Sequence, residues 1–191
     1  MKLHGTTTSP FTRRVRIVAK EVGEPIEWAD TASDAGQAEL RQLSAIRKVP
    51  VAIVDGKKIV DSRTIVDYLT QTRGWGGIEA PSDPWREANL LHAIDAAIDS
   101  MIQLFYLRRD GITIDGNPFA KRHLDRTDTI FAHLMDELEP RRFGLAELSA
   151  ICALDWMEFR KAYPVERASA LEPLRAAWRD RPSIATTMPH A

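Results

Sequence analysis

The sequence predicts a small mixed α/β domain followed by an all-helical domain. Short apolar runs alternate with helical spacings over residues 1–73, a Gly- and Pro-rich stretch covers 74–84, and helical spacing covers 85–191. A chain of 191 residues is long enough for two small domains, each with its own hydrophobic core. We therefore expect domains at 1–73 and 85–191, joined by a linker at 74–84.

The first domain begins with a predicted strand at Met1–Gly5, followed by a turn and a helix. After the turn, apolar residues recur with the i, i+3, i+4, i+7 spacing of one helix face, at Val15, Val18, Ala19 and Val22. Gly23 stands where a C-cap glycine is expected. A second strand is predicted at Pro25–Ala29 and a second helix at Ala35–Leu43.

A β-hairpin completes the sheet. Apolar runs at Val51–Val54 and Lys58–Asp61 flank the pair Asp55-Gly56, which is a strong hairpin signal. Ser62 is a predicted N-cap of a third helix. In the resulting order β-α-β-α-β-β-α, the first two strands pair in parallel and the hairpin is antiparallel. This is the arrangement of a thioredoxin-like domain.

The second domain is predicted to be all-helical. Its helices are expected at about Pro84–Arg109, across Thr127–Leu138, at Ala146–Lys161 and near Leu171–Asp180. No uninterrupted apolar run approaches the roughly 18 to 20 residues of a membrane span, and no secretory signal precedes the first strand. We therefore expect a cytoplasmic protein without a membrane partner.

The composition excludes several other classes. A net charge of −1 and a pI of about 6.5 argue against nucleic acid as a partner. Residues 1–75 hold 12 Lys and Arg against 9 Asp and Glu, an excess that fits a small anionic ligand or chance alone. The single cysteine, Cys152, cannot form an intramolecular disulfide or a thiolate metal cage, so we expect no metal cofactor.

Three short segments carry candidate chemistry, and the first is Ser9-Pro10-Phe11 between the first strand and helix. A serine hydroxyl and the free N–H groups of a helix N-terminus can together bind an anion. From the tripeptide alone, a plain N-cap is the commoner role for Ser9.

The other two segments are Lys48-Val49-Pro50 and Asp61-Ser62. A cis bond before Pro50 would turn the Val49 N–H and C=O outward for a peptide ligand, although only about 5–6% of X–Pro bonds are cis, which favours a trans proline here. Asp61 and Ser62 are ordinary helix-start residues. A carboxylate beside a hydroxyl and free N–H groups also fits the ammonium and carboxylate of an amino acid.

The order and spacing of these segments resemble the soluble glutathione transferase family, closest to bacterial members of the Ser or Cys type. The matching segments are Ser9–Ile17, Lys48–Val51, Asp61–Leu69, Ala150–Leu154 and Arg181–Ala185. The resemblance covers nearly the whole chain and implies glutathione as co-substrate. It also implies a homodimer.

The resemblance further implies roles for individual residues. Ser9 would hydrogen-bond the glutathione sulfur beside Phe11, and Val49 would pair with the cysteinyl backbone next to a cis Pro50. The remaining binding residues would be Asp61 and Ser62 for the γ-glutamyl end and Lys48 for the glycyl carboxylate.

Residues of the first long helix would complete the site. Asp95 would contact the γ-glutamyl ammonium of the partner subunit, although a surface or interface salt bridge explains this residue equally well. Met101 and Phe105, with Thr8, would line the pocket for the electrophile; Met101 and Phe105 are equally well explained as core residues.

Two departures from the family pattern affect these expectations. Thr6, Thr7 and Thr8 precede Ser9, so Thr8 could replace Ser9 as the donor to the sulfur. Gly144 and Glu147 stand where the family has a Ser/Thr and Asp capping box, a change that costs the helix only a few tenths of a kcal/mol.

The predicted function is therefore glutathione transfer to a small hydrophobic electrophile. A glutathione-dependent peroxidase or reductase is one alternative, and the reductases need a cysteine where this chain has Ser9. A non-catalytic binding or protein-interaction module is the other alternative.

Overall fold

The computed structural model describes residues 1–190, which form two compact units, residues 1–78 with 180–190 and residues 79–179. The strands are β1 (Lys2–Gly5), β2 (Glu27–Asp30), β3 (Val51–Val54) and β4 (Lys57–Val60). The α-helices, in chain order, are α1 (Pro10–Glu21), α2 (Asp34–Leu43), α3 (Ser62–Arg73), α4 (Pro84–Arg109), α5 (Pro118–Glu137), α6 (Leu145–Phe159), α7 (Glu172–Trp178) and α8 (Pro182–Ala185).

The first unit contains a four-stranded mixed sheet in the order β2-β1-β3-β4. Strand β1 pairs with β2 in parallel and with β3 antiparallel, and β3 pairs with β4 antiparallel. Asp55 and Gly56 have φ values of 49° and 73°, as the two-residue turn of a tight hairpin requires. The predicted strand pairing and hairpin are confirmed.

The N-cap of α3 differs from the prediction. Asp61, not Ser62, occupies this position, and its carboxylate accepts a hydrogen bond from the Arg63 N–H at 2.8 Å. Ser62 is the first helical residue. Aspartate caps as well as serine does, and sequence could not separate two adjacent capping residues. Asp61 has φ 78°, an uncommon value for a residue with a side chain.

The C-terminal segment joins the first unit, although the sequence-based division placed it in the helical domain. Arg181 donates from Nε and Nη2 to the Glu21 carboxylate at 2.7 and 2.6 Å. Ser183 also donates to Glu21. These hydrogen bonds, chiefly those from Arg181, lower the pKa of Glu21. Residues 180–190 therefore pack beside α1 through polar contacts that have no periodic signature.

The second unit is built around α4, which packs on α5 and α6. Almost every residue of α6 is buried, so this helix forms the centre of the unit. A 3₁₀ helix at Val165–Leu171, which was not predicted, precedes α7. Among the described helices, α4 alone is long and apolar enough to count as a candidate membrane span, a test that core helices also pass.

Candidate functional site

The strand register brings the three candidate segments to one edge of the sheet. His4 near the end of β1 pairs with Val51 at the start of β3, and Val51 pairs with Val60 at the end of β4. Ser9 follows β1, Val49 precedes β3 and Asp61 follows β4. The antiparallel order therefore gathers segments that are up to about 50 residues apart in sequence.

Ser9 is the N-cap of α1 and is half-buried. Its Oγ accepts a hydrogen bond from the Thr12 N–H at 3.2 Å. Gly5 permits this packing, because a Cβ there would lie 2.4 Å from Thr12 Cγ2. A hydroxyl that accepts one bond still has its own proton to donate. Ser9 is therefore both a structural cap and an available donor.

The threonines before Ser9 place further hydroxyl groups in the same loop. The Oγ1 atoms of Thr6 and Thr8 are 3.4 Å apart, within hydrogen-bond distance. Thr8 is half-buried, as Ser9 is. A hydrogen bond from Ser9, or from Thr8 in its place, to a bound sulfur stays a prediction.

The Val49–Pro50 peptide bond is cis. The trans bond favoured by frequency alone was wrong, and the cis bond implied by the family resemblance is confirmed. Val49 is half-buried, Pro50 is buried and Lys48 is exposed. Within residues 1–190, no main-chain hydrogen bond is made by the N–H or C=O of Val49. These two groups can therefore pair with an extended ligand.

A buried arginine connects α1 with the start of α3. Arg14 Nη1 donates to Ser62 Oγ at 3.2 Å, and the two residues are 1% and 2% exposed. The Arg14 guanidinium carbon also lies 5.6 Å from the centre of the Phe11 ring. Arg14 thus contacts two residues that sequence analysis placed in the glutathione site.

Sequence reasoning gave Arg14 no role of its own. One signal could have identified it, because Arg14 lies one turn before Val18, on the side of α1 predicted to be apolar. An arginine in such a position needs a specific partner.

The predicted residues on α4 lie in the second unit. Met101 is fully buried, while Asp95 and Phe105 are half-buried. Phe105 packs edge-on against Trp156, with ring centres 6.0 Å apart. The roles of these three residues in substrate or subunit contacts stay predictions.

Cys152 is 1% exposed within α6. A cysteine that is buried among apolar residues is poorly placed for thiolate chemistry. The described residues include no group of three or more His, Cys, Asp or Glu side chains that could hold a metal ion.

A family model and a solved structure are both similar to this chain. Residues 3–79 match the family model described as "Glutathione S-transferase, N-terminal domain". A glutathione transferase family member from Pseudomonas fluorescens, solved with bound glutathione, is 27% identical with a TM-score of 0.82, over 100% of this chain and 99% of that one. The fold is a thioredoxin-like domain followed by an all-α region, as predicted.

Sequence relatives agree with this class. Glutathione S-transferase U6 of Arabidopsis thaliana is 34% identical over 89 residues, which is 46% of this chain and 40% of that protein. The match thus spans about two fifths of the plant relative. The Escherichia coli protein YibF, described as an uncharacterized GST-like protein, is 25% identical over 86% of this chain and 85% of its own. Together, these findings support the glutathione S-transferase family; the bacterial Ser/Cys subtype stays a prediction.

Proposed function

We propose that this protein is a cytoplasmic, homodimeric glutathione transferase that conjugates glutathione to a small hydrophobic electrophile, a detoxification type of reaction. The observation that carries the proposal is the convergence of Ser9, Val49 and Asp61 at one sheet edge, set by the register of β1, β3 and β4. The similar Pseudomonas fluorescens protein with bound glutathione supports the same ligand.

Ser9 has the chemistry to stabilise a thiolate. A free thiol has a pKa of about 8.5, so only a few per cent is ionised at neutral pH. One hydrogen bond to a charged group contributes about 1.5–3 kcal/mol, which corresponds to a pKa lowered by roughly one to two units. The sulfur then forms a bond to the electrophilic carbon as the leaving group departs. Ser9 stays protonated and acts as a donor.

The other predicted residues position the tripeptide. The N–H and C=O of Val49 pair with the cysteinyl backbone, with Pro50 and Phe11 beside it. Asp61 and Ser62 hold the γ-glutamyl end, and the exposed Lys48 serves the glycyl carboxylate.

The predicted electrophile-pocket residues differ in exposure. Thr8 and Phe105 are half-buried and can contact a ligand, whereas Met101 is fully buried and packs as a core residue of the second unit. Asp95 contacts the γ-glutamyl ammonium bound by the partner subunit. Light scattering tests this last assignment, because a monomer in solution removes Asp95 from the site.

Calorimetry with glutathione and a conjugation assay with chlorodinitrobenzene test the proposal. Ser9→Ala should lower kcat/KM about 10- to 100-fold, the loss of one hydrogen bond to a charged group. Thr7→Val is the matched control, because it removes a neighbouring hydroxyl that has no proposed role from the same loop, and it should keep the wild-type activity. Loss of activity in Thr8→Val but not in Ser9→Ala moves the sulfur donor to Thr8.

Two further outcomes separate the alternative functions. If calorimetry detects no binding at millimolar glutathione, the transferase function is rejected and an interaction module is favoured. Turnover of a hydroperoxide or a disulfide, without conjugation, would identify a glutathione-dependent peroxidase or reductase.

A further inference from the structure

We propose that Arg14 is a positioning residue that orients the Ser62 hydroxyl toward the α-carboxylate of the γ-glutamyl group. This inference rests on the proposed function, because it concerns how the same site recognises one end of glutathione. It adds a buried residue that touches no ligand itself and acts through Ser62.

The direction of the Arg14–Ser62 hydrogen bond follows from the donors and acceptors that the two side chains carry. A guanidinium has only N–H donors, so Ser62 Oγ must be the acceptor in the 3.2 Å contact with Arg14 Nη1. A hydroxyl carries a single proton. Because that proton is not used toward Arg14, it is available to an acceptor on the other side of Ser62. A ligand carboxylate is such an acceptor.

The charge of Arg14 favours the same ligand group. Arginine stays protonated in proteins, and Arg14 is 1% exposed, so its charge is poorly screened by water. A cation behind the hydroxyl makes Ser62 a stronger donor to an anion. Asp61, the neighbouring and exposed residue, carries the opposite charge. The Ser62 hydroxyl as donor and the Asp61 carboxylate as acceptor complement the carboxylate and ammonium of an amino acid.

Packing holds the guanidinium in this orientation. Arg14 lies 5.6 Å from the Phe11 ring centre, which is within cation–π range. Phe11 belongs to the segment that starts at Ser9. Arg14 therefore connects the proposed sulfur end of the site with the γ-glutamyl end.

Calorimetry with two ligands tests the inference. One is glutathione, and the other is 4-aminobutanoyl-cysteinylglycine, which keeps the ammonium but lacks the α-carboxylate. The wild type should prefer glutathione about 10- to 100-fold, as expected for hydrogen bonds to a charged group. Arg14→Met should reduce that preference to within about threefold, and Arg14→Lys should recover part of it because the charge is kept.

Arg13→Met is the matched control. Arg13 is also 1% exposed on α1, but it donates hydrogen bonds to Ile184, Thr187 and Met188 of the C-terminal segment. This variant should lose thermal stability and keep the preference for glutathione. Equal weakening of both ligands in Arg14→Met would show a purely structural role and overturn the inference.

Ser62→Ala keeps the inference testable if Arg14→Met fails to fold. It removes one hydroxyl and should reduce the preference for glutathione as much as Arg14→Met does. The double variant should reduce this preference no further than either single variant. An unchanged preference in Ser62→Ala overturns the inference. A wild type that binds neither ligand instead rejects the proposed function, so the two failures are distinguishable.

Discussion

Glu87 of α4 caps the N-terminus of α6: its Oε1 accepts a hydrogen bond from the Ala146 N–H at 2.7 Å. The N-cap residue of α6, Gly144, offers no side chain for this purpose. Arg142 Nη2 lies 3.1 Å from Glu87 Oε2 and balances its charge. A residue nearly 60 positions away in sequence thus replaces the local capping box.

We expect Glu87→Ala to lower the free energy of unfolding by about 2–4 kcal/mol, because it removes a cap and a buried ion-pair partner together. Glu87→Gln should cost less, since the amide oxygen can still accept from the Ala146 N–H. Urea unfolding followed by circular dichroism measures both values. Equal losses in the two variants would assign the effect to charge and not to capping.

Gly144→Ser should destabilise the protein by about 1–2 kcal/mol, although serine is the better N-cap in an isolated helix. A Cβ at this position would lie 2.2 Å from Arg142 Nη1 and 2.5 Å from Glu147 Oε2. These two atoms form an ion pair at 2.6 Å, so the new side chain displaces it. In an Arg142→Met background, the same substitution should become neutral or stabilising. A stabilising effect in the wild type would contradict the prediction.

The stability of the fold should fall as the pH decreases below about 6.5, partly because of His4. This residue is fully buried, and neither ring nitrogen has a hydrogen-bond partner among the described residues. Burial lowers the pKa of His4 from 6.5, against the opposing charge of Glu39. The unfolded chain therefore takes up a proton near pH 6.5 that the folded protein does not.

Urea unfolding between pH 8 and about pH 5 measures this dependence. His4→Leu should show a shallower loss of stability with falling pH than the wild type. His92→Asn is the control, because His92 is exposed, and it should retain the wild-type slope. Parallel curves for His4→Leu and wild type would reject a contribution from His4.

Arg181→Met should lower the free energy of unfolding by about 1–2 kcal/mol at neutral pH, since it removes two hydrogen bonds to the Glu21 carboxylate. The pKa of Glu21 is lowered from 4.5 in the folded protein, so the stabilisation is present above pH 4.5 and is lost as the pH falls further. The difference between variant and wild type in thermal unfolding should shrink over that acid range. A difference independent of pH would show that Arg181 acts through packing and its hydrogen bond to the Gly77 carbonyl at 2.8 Å, and not through Glu21.

The sequence predicted which residue types form the site and in which order they occur along the chain. Ser9 before a helix, Val49-Pro50 before a strand and Asp61-Ser62 before another helix are local patterns, readable from spacing and turn chemistry. Their convergence follows from strand pairing, of which the sequence predicted the β3–β4 hairpin, while the antiparallel pairing of β1 with β3 is seen only in the structure. The choice between Asp61 and Ser62 as N-cap could not be made, because both side chains cap helices well and the φ of 78° at Asp61 is set by the folded chain.

The sequence by itself determined the order of the strands and main helices and the hairpin at Asp55-Gly56, because these depend on periodicity and turn chemistry over a few residues. Only the tertiary structure decided the partners of the buried charges, namely Arg14 with Ser62, Arg181 with Glu21 and Glu87 with Ala146. A charged side chain carries no local signal of its partner. It is buried only where a distant segment supplies the complementary group, and that match exists only once the chain has folded.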